Sequence, residues 1–221
     1  SATYWLINLP NFQKYLIFFA SLLFYSFWRI EFVPLLLFSV IINYYFAFKI
    51  NDAKENKFLL LCIFVGINLS LLFYFKYLIF FTETVISLSK LFDINIDFSL
   101  SNIILPLGIS FYTFQSISYL VDTYRNTIKP EKDFFFYASY ITFFPQLVAG
   151  PILRASQVIP QLKIKKDYKL DYSLSGFERI LFGLFLKVVL ADNIATLVDN
   201  GFANSKYDLS AIDVWTLAFL F

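Results

Sequence analysis

Long runs of apolar residues recur along the chain, separated by short polar segments. A helix needs about 20 apolar residues to cross the roughly 30 Å of hydrocarbon in a bilayer. The runs predict membrane spans at residues 15–28, 32–48, 58–81, 103–124 and 174–190, and the start of another at 212–221. Only "WRIE" separates the first two, which predicts a tight helical hairpin. The pattern therefore predicts an all-α polytopic membrane protein, a transmembrane helix bundle with a single domain over residues 1–221.

Composition supports a bilayer as the solvent of this chain. Of its 221 residues, 59% are hydrophobic and 15% are charged, with 30 Phe and 15 Tyr. Soluble domains have about 45–50% apolar and about 25% charged residues. A soluble fold of this size could not bury so much apolar surface, and the excess would aggregate. The small net charge of +2 argues against nucleic acid as a partner and leaves the lipid bilayer.

Residue types exclude several kinds of site. The sequence has no histidine, so it contains no Ser-His-Asp triad, no His base and no His metal ligand. Its one cysteine, Cys62, forms no disulfide within the chain. The sequence has no Gly-rich phosphate loop, ligand-spaced acidic cluster or Cys/His metal pattern. We therefore expect no bound metal or cofactor.

The stretch "FFPQLVAGPILR", residues 143–154, starts as an apolar helix and then breaks. Proline removes a backbone donor and collides with the preceding helical turn, whereas glycine permits a turn back. Pro145, Gly150 and Pro151 therefore predict that segment 134–150 enters the bilayer and returns to the side it came from. Irregular backbone at membrane depth is tolerated only where protein buries it or where it lines a watery cavity. We expect this re-entrant segment to pack inside the bundle and to open toward the cytoplasm.

The distribution of basic residues supports the re-entrant segment, because Lys and Arg accumulate in cytoplasmic loops. Successive connecting segments carry three, one, three, five and one of these residues: 49–57, 82–102, 125–133, 151–172 and 191–213. If 134–150 turns back, all three rich segments lie in the cytoplasm. If it crossed, the most basic segment would lie outside. The alternative is a kinked spanning helix that breaks the charge rule.

The predicted span 103–124 carries polar residues on one face. At 100° per residue, four side chains at i, i+3, i+4 and i+7 form one stripe: Tyr112, Gln115, Ser116 and Tyr119. Pro106 and Gly108 weaken the start of this helix, which we expect to be unwound. The stripe either hydrogen-bonds neighbouring helices, which is common in membrane bundles, or lines a cavity for a polar ligand. Gln115 favours the second interpretation, because a buried amide needs a partner.

Arg154 follows the Gly-Pro break at the predicted cytoplasmic mouth. An arginine there can hold a phosphate by a bidentate contact, or it can be an ordinary charge that sets topology. The stripe and the break together supply the candidate residues of a substrate channel: Tyr112, Gln115, Ser116, Tyr119, Pro145, Gln146, Gly150 and Arg154.

Three ordered blocks of sequence resemble the bacterial membrane-bound O-acyltransferase family, in the branch that O-acetylates alginate and peptidoglycan. "LPLGISFYTFQSISYLVDTYR" is similar to the family's signature helix, and "YITFFPQLVAGPILR" is similar to its Phe-Phe-Pro…Ala-Gly-Pro-Ile segment. "GLFLKVVLADNIA" resembles a third block, and "LLFYSFW" and "LLLFSVIINYYFA" resemble the first part of the family. The resemblance covers nearly the whole chain and corresponds to the N-terminal half of the family's proteins.

The resemblance implies a helix bundle around a channel, with re-entrant pieces on the cytoplasmic side. It implies an O-acyltransferase that passes acetyl groups from a cytoplasmic donor, acetyl-CoA, across the bacterial inner membrane to a surface polysaccharide such as alginate or peptidoglycan. The implied partner is a separate periplasmic acetyltransferase. The family's catalytic histidine lies in a later block. We therefore assign no catalytic residue here and expect this chain alone to be inactive.

Two other functions fit the same features: a transporter or flippase for a lipid-linked sugar, and a structural membrane subunit that docks a periplasmic acetyltransferase. Broken helices and midplane polar residues also occur in transporters, but the sequence shows no inverted repeat. We also expect a truncated chain. Relatives carry a further hydrophobic helix before the piece that resembles "KYLIFFASLLFYSFW", and the last apolar run stops at Phe221.

Overall fold

Helices make up the regular secondary structure in the described part of the chain. The computed structural model describes residues 10–91, 104–147, 150–164, 169–203 and 209–221, and within these ranges it contains no strand. The prediction of an all-α membrane protein is confirmed. The chain divides into two compact units, Ser1–Lys166 and Asp167–Phe221. The single transmembrane domain over the whole chain stays a prediction.

The first unit contains helices of very different lengths. In chain order they are α1 (Pro10–Trp28), a 3₁₀ turn (Ile30–Phe32), α2 (Val33–Asp52), α3 (Lys57–Lys76), α4 (Leu78–Leu91), α5 (Ile109–Tyr124), α6 (Phe134–Thr142), α7 (Phe144–Leu147) and α8 (Ala155–Lys163). Helix α5 packs against α2, α3 and α6, and α6 packs against α1, α2 and α8. The core of the unit therefore lies around α5 and α6. It includes large, fully buried side chains: Tyr112, Tyr119, Leu120, Tyr137, Tyr140 and Ile141.

The second unit is a long helix followed by a short one. Helix α9 (Leu170–Phe185) continues through a π-helical stretch (Leu186–Ala191) into α10 (Asp192–Ala203), and α11 (Ala211–Leu220) packs against α10. The side chain and backbone of Ser210 form a capping box with Asp213, which begins α11. A Cβ atom on Gly201 would lie 2.4 Å from Leu217 Cδ2, so glycine permits the close approach of these two helices.

The helix bounds refine the predicted spans. By length and composition, three helical segments among the described residues can cross a membrane: Ile30–Asp52, Lys57–Lys76 and Leu170–Ala203. The predicted span 58–81 is not one helix, because α3 ends at Lys76 and α4 begins at Leu78. The predicted span 174–190 lies within the longer helix Leu170–Ala203.

Large apolar side chains also cover the outside of the first unit. Phe19, Phe27 and Phe58 are 59%, 82% and 64% exposed. Isolated exposed apolar residues are normal in soluble proteins, but a surface covered by them is not. Lipid is the solvent that this surface fits.

A reciprocal amide pair joins α2 and α3. Asn43 Nδ2 donates to Asn68 Oδ1 at 2.9 Å, and Asn68 Nδ2 donates to Asn43 Oδ1 at 2.8 Å. Each amide also donates to the backbone carbonyl four residues earlier in its own helix. Both side chains are buried. The pair therefore satisfies two polar groups in an apolar interior, as polar residues between membrane helices do.

Candidate functional site

The segment that was predicted to be re-entrant is a broken hairpin. Helix α6 ends at Thr142, and Phe143 leaves the helical conformation with ψ at 104°. The single turn of α7 follows, residues 151–154 are non-helical, and α8 runs back along α6. Lys163 at the end of α8 forms an ion pair of 2.6 Å with Glu131, which precedes α6. The chain therefore returns to the place where it started, and at nine residues α6 is only about 14 Å long, too short to span a bilayer.

Pro145, Gln146 and Gly150 build the tip of this hairpin. Pro145 lies in the first turn of α7, where its missing N–H costs nothing. The N–H of Gly150 donates to Gln146 O at 3.0 Å, and Gln146 Nε2 donates to Pro151 O at 2.8 Å. A Cβ on residue 150 would lie 2.6 Å from Gln146 Cα, so any other residue would push the turn apart.

The tip packs against the start of α5, which is also irregular. Helix α5 begins at Ile109, and Gly108 before it is left-handed with φ at +68°. The unwound start predicted from Pro106 and Gly108 is confirmed. A Cβ on Gly108 would lie 2.6 Å from Leu147 O, which shows how closely the two segments approach. Two pieces of irregular backbone thus pack closely against each other at Gly108 and Leu147, and protein surrounds them at this point.

The polar stripe of α5 is buried, and two of its members bind the hairpin. Gln115 Nε2 donates to the backbone carbonyl of Tyr140 in α6 at 3.0 Å. The Tyr119 hydroxyl accepts from the N–H of Glu131 at 2.8 Å, and its ring lies 4.7 Å from that of Tyr137. For Gln115 and Tyr119, these contacts match the interpretation of the stripe as hydrogen bonding between helices.

The other two members of the stripe are deeper in the bundle. Tyr112 and Ser116 are both fully buried. The Tyr112 hydroxyl has no hydrogen-bond partner among the described residues. Tyr25 of α1 donates to Leu107 O at 3.2 Å at the unwound start of α5. Tyr112 therefore keeps an unused polar group inside the bundle, which leaves the cavity-lining interpretation open for this residue.

Two candidate residues lie apart from the stripe. Arg154 is exposed at the N-terminus of α8, and its side chain does not cap that helix. Pro145 is also exposed. The structure therefore groups Gln115 and Tyr119 with the hairpin but leaves Arg154 at the surface.

A charged cluster at the base of the hairpin was missed by the sequence analysis. The buried Lys14 of α1 forms an ion pair with Asp133, and Asp133 Oδ1 accepts from the N–H of Phe135 at the start of α6. Glu131 Oε1 accepts from the N–H of Asp133 at 3.2 Å. An Asp directly before an apolar run is a helix start signal that could have identified the cap. Nothing local indicates its pairing with a lysine 119 positions earlier.

The surroundings of Asp133 favour its charged form. Burial alone would raise the pKa of this carboxyl. The hydrogen bonds from Lys14 and from the N–H groups of Phe135 and Phe136 outweigh burial and lower the pKa below its ordinary value. Asp133 is therefore an anion that links α1 to the start of α6.

The same cluster surrounds one aromatic ring. Lys14 Nζ lies 4.9 Å from the centroid of the Phe136 ring, and Lys163 Nζ lies 5.7 Å from it. Both distances suit cation–π attraction. The base of the hairpin is thus held by two ion pairs and one shared ring, which fixes α1 and α8 against α6.

The chain is similar over most of its length to O-acetylating membrane proteins of bacteria. A peptidoglycan O-acetyltransferase of Helicobacter pylori is 37% identical, over 93% of this chain and 43% of its own length. Probable alginate O-acetylases of Pseudomonas putida and Azotobacter vinelandii are 34% and 33% identical, over 87% and 93% of this chain and 40% and 41% of their own lengths. The chain thus spans about two fifths of the length of these relatives.

No family model and no solved structure matches the chain. The assignment therefore depends on the pairwise similarity, which agrees with the three sequence blocks. The chain is a homologue of part of a peptidoglycan O-acetyltransferase and of probable alginate O-acetylases, which agrees with its resemblance to the membrane-bound O-acyltransferase family.

Proposed function

We propose that this chain forms part of a membrane-bound O-acyltransferase that moves acetyl groups across the bacterial inner membrane for O-acetylation of a surface polysaccharide such as alginate or peptidoglycan. The proposed donor is cytoplasmic acetyl-CoA, and the proposed partner is a periplasmic acetyltransferase that completes the transfer. The observation that carries the proposal is similarity over 87–93% of the chain to proteins named as O-acetylating enzymes.

The proposed role of this chain is structural support for the transfer path. Acyl transfer to a hydroxyl needs a base that takes up its proton. This sequence has no histidine, and we assign no catalytic residue to it. What it supplies is the hairpin tip at Gln146 and Gly150, packed on the unwound start of α5. Irregular backbone of this kind is stable inside a membrane only where protein surrounds it or where it lines a cavity. The packed tip and the start of α5 are therefore suited to support the wall of a path through the bundle.

Deletion of the gene that encodes this chain tests the activity. The assay is the acetate that mild base releases from purified peptidoglycan and from secreted polysaccharide. We expect deletion to lower the acetate of one of the two polymers and the intact gene to restore it. If deletion leaves both polymers fully acetylated, the proposed function is wrong, and a transporter becomes the better interpretation.

A matched pair of variants tests the role of the hairpin tip. Gln146→Leu removes the hydrogen bond to Pro151 O, whereas Gln157→Leu changes an exposed glutamine of α8. At equal protein levels in the membrane, we expect Gln146→Leu to restore less acetate than Gln157→Leu. Equal restoration would show that the tip does not contribute to transfer.

The side of donor entry needs a separate experiment. Labelled acetyl-CoA does not cross a sealed membrane unaided, so it can be offered to inverted or to right-side-out vesicles. The proposal expects labelled acceptor only when the donor reaches the cytoplasmic face. Labelling from the periplasmic face alone would reverse the proposed direction.

A further inference from the structure

A groove of about 160 Å³ lies beside the base of the hairpin, between segment 128–131 and one face of α8. Residues of α5, this segment and α8 line the groove, among them Lys129, Glu131, Ala155, Ser156, Ile159 and Lys163. Drug-sized ligands and cofactors occupy pockets of about 300–1,000 Å³. The groove is therefore suited to one small group and not to a whole cofactor.

The charges around the groove favour an anion. Two lysines, Lys129 and Lys163, and one acid, Glu131, line the groove, and Lys163 is already paired with Glu131 at 2.6 Å. Glu131 is 9% exposed, whereas Lys163 is 46% exposed, so the lysine can still reach a second anion from solvent. Ammonium groups have three donors each, which allows Lys163 to bind Glu131 and a ligand together.

The first turn of α8 adds to this preference. No side chain caps its N-terminus, and Ala155 and Ser156 of that turn line the groove. The N-terminal end of a helix carries partial positive charge and free N–H groups, which stabilise phosphate and other anions. The two lysines that line the same groove add positive charge independently of this turn.

The floor of the groove is apolar. Ala155 and Ile159 are buried, and Ile128 and Pro160 complete the floor. Helix α8 is amphipathic, since Ala155 and Ile159 face the bundle while Gln157 and Gln161 are exposed. A helix of this kind suits the boundary between headgroups and acyl chains. The ligand should accordingly combine an anionic group with an apolar portion.

We propose that this groove binds the phosphate of an anionic phospholipid, with Lys129 and Lys163 holding the phosphate and the apolar floor receiving the glycerol end of the acyl chains. The basic segments 125–133 and 151–172 lie on the face that the charge rule predicts to be cytoplasmic. That leaflet carries the anionic lipids in a cell membrane.

Binding of short-chain phosphatidylglycerol to the purified chain in uncharged detergent tests the proposal. Short-chain phosphatidylcholine is the zwitterionic comparison, because the choline cation offsets the charge of its phosphate. Native mass spectrometry or a lipid titration of thermal unfolding reports the affinity. Lys163→Gln should weaken binding of phosphatidylglycerol by about tenfold or more, the effect of losing a charge-assisted hydrogen bond. Lys132→Gln is the matched control, because Lys132 is an exposed lysine of the same loop that does not line the groove.

A second variant, Glu131→Gln, should change the affinity for phosphatidylglycerol in the opposite direction. Removing this acid frees Lys163, so phosphatidylglycerol should bind more tightly than to the wild-type protein. Lys163→Gln alone leaves a buried carboxylate without its partner and can fail to fold. The double variant Glu131→Gln/Lys163→Gln removes both charges, and it should fold and still bind phosphatidylglycerol less tightly than Glu131→Gln.

Three results would overturn the proposal. Equal weakening by Lys132→Gln and Lys163→Gln would mean that general surface charge attracts the lipid. Equal affinity for phosphatidylglycerol and phosphatidylcholine would mean that the groove does not select an anionic phospholipid. Displacement of phosphatidylglycerol from the groove by micromolar coenzyme A would assign the groove to a soluble phosphate ester in place of a lipid.

Discussion

Replacement of Gln115 by leucine separates the two interpretations of the polar stripe. In the structure, Gln115 is 3% exposed, and its amide donates to the carbonyl of Tyr140 at 3.0 Å. That carbonyl is one of the last four of α6, which have no partner inside the helix. The next amide in helical register belongs to Phe144, and it donates to Ser21 Oγ instead. Gln115 therefore supplies the hydrogen bond to the Tyr140 carbonyl that α6 itself does not provide.

The expected loss of stability depends on the Tyr140 carbonyl, which leucine at position 115 leaves without a donor. Hydrogen bonds between membrane helices contribute about 0.6 kcal/mol on average, because the unfolded chain also finds partners in the membrane. A buried acceptor that loses its partner costs about 1–3 kcal/mol. The second case applies, since leucine cannot donate and the Tyr140 carbonyl stays buried. We expect Gln115→Leu to lower the free energy of unfolding by about 1–2 kcal/mol.

Unfolding in mixed micelles of increasing SDS fraction measures this free energy. The control is Phe114→Leu on the next position of α5, where the side chain is 45% exposed. It should unfold like the wild-type protein, because lipid replaces the lost contacts. If Gln115→Leu also unfolds like the wild-type protein but lowers polysaccharide acetylation in cells, the stripe lines a functional cavity and the reasoning from hydrogen bonding is refuted.

Two further predictions concern the contacts around the hairpin. Gly108→Ala should lower the free energy of unfolding by more than about 1–2 kcal/mol, because left-handed backbone disfavours a Cβ atom and because this Cβ would lie 2.6 Å from Leu147 O. The control is Gly66→Ala, where nothing lies within 4 Å of the new Cβ. Its free energy of unfolding should be unchanged or slightly higher. Because the pKa of Asp133 is lowered in the folded state, its stabilising contribution should be present above the ordinary pKa of about 3.9 and lost as the pH falls through the folded value. Lys14→Gln should flatten this acid-side loss in an unfolding titration, and an unchanged pH profile would show that the ion pair does not stabilise the fold.

Local pattern predicted those features whose causes are local. The break after α6 follows from Pro145 and Gly150, and the late start of α5 follows from Gly108, because these residues act through their own backbone sterics. The division between α3 and α4 at Tyr77 was missed, since no proline or glycine lies there. Its backbone, with φ at −115°, leaves the helix without any local signal in the residue type.

Contacts between distant segments could not be read from the chain. The amide pair of Asn43 and Asn68 spans 25 positions, and the ion pair of Lys14 and Asp133 spans 119. Each residue alone is compatible with a snorkelling, capping or lipid-exposed position. Which partner it meets depends on helix packing, and a hydropathy pattern does not contain that information.

The sequence by itself determined that the protein's solvent is a bilayer and that its fold is helical. A chain with 59% apolar residues needs a bilayer as its solvent, and a segment that spans a bilayer satisfies its own backbone hydrogen bonds when it is a helix. The sequence also placed the polar stripe on one face of α5, since that follows from 100° per residue alone. Only the tertiary structure decided that Gln115 and Tyr119 of this stripe bind the hairpin, and that Glu131 and Lys163 close its base. The physical reason is that a buried polar group is stable only with a partner, and the partner's position is set by the packing of helices far apart in the chain.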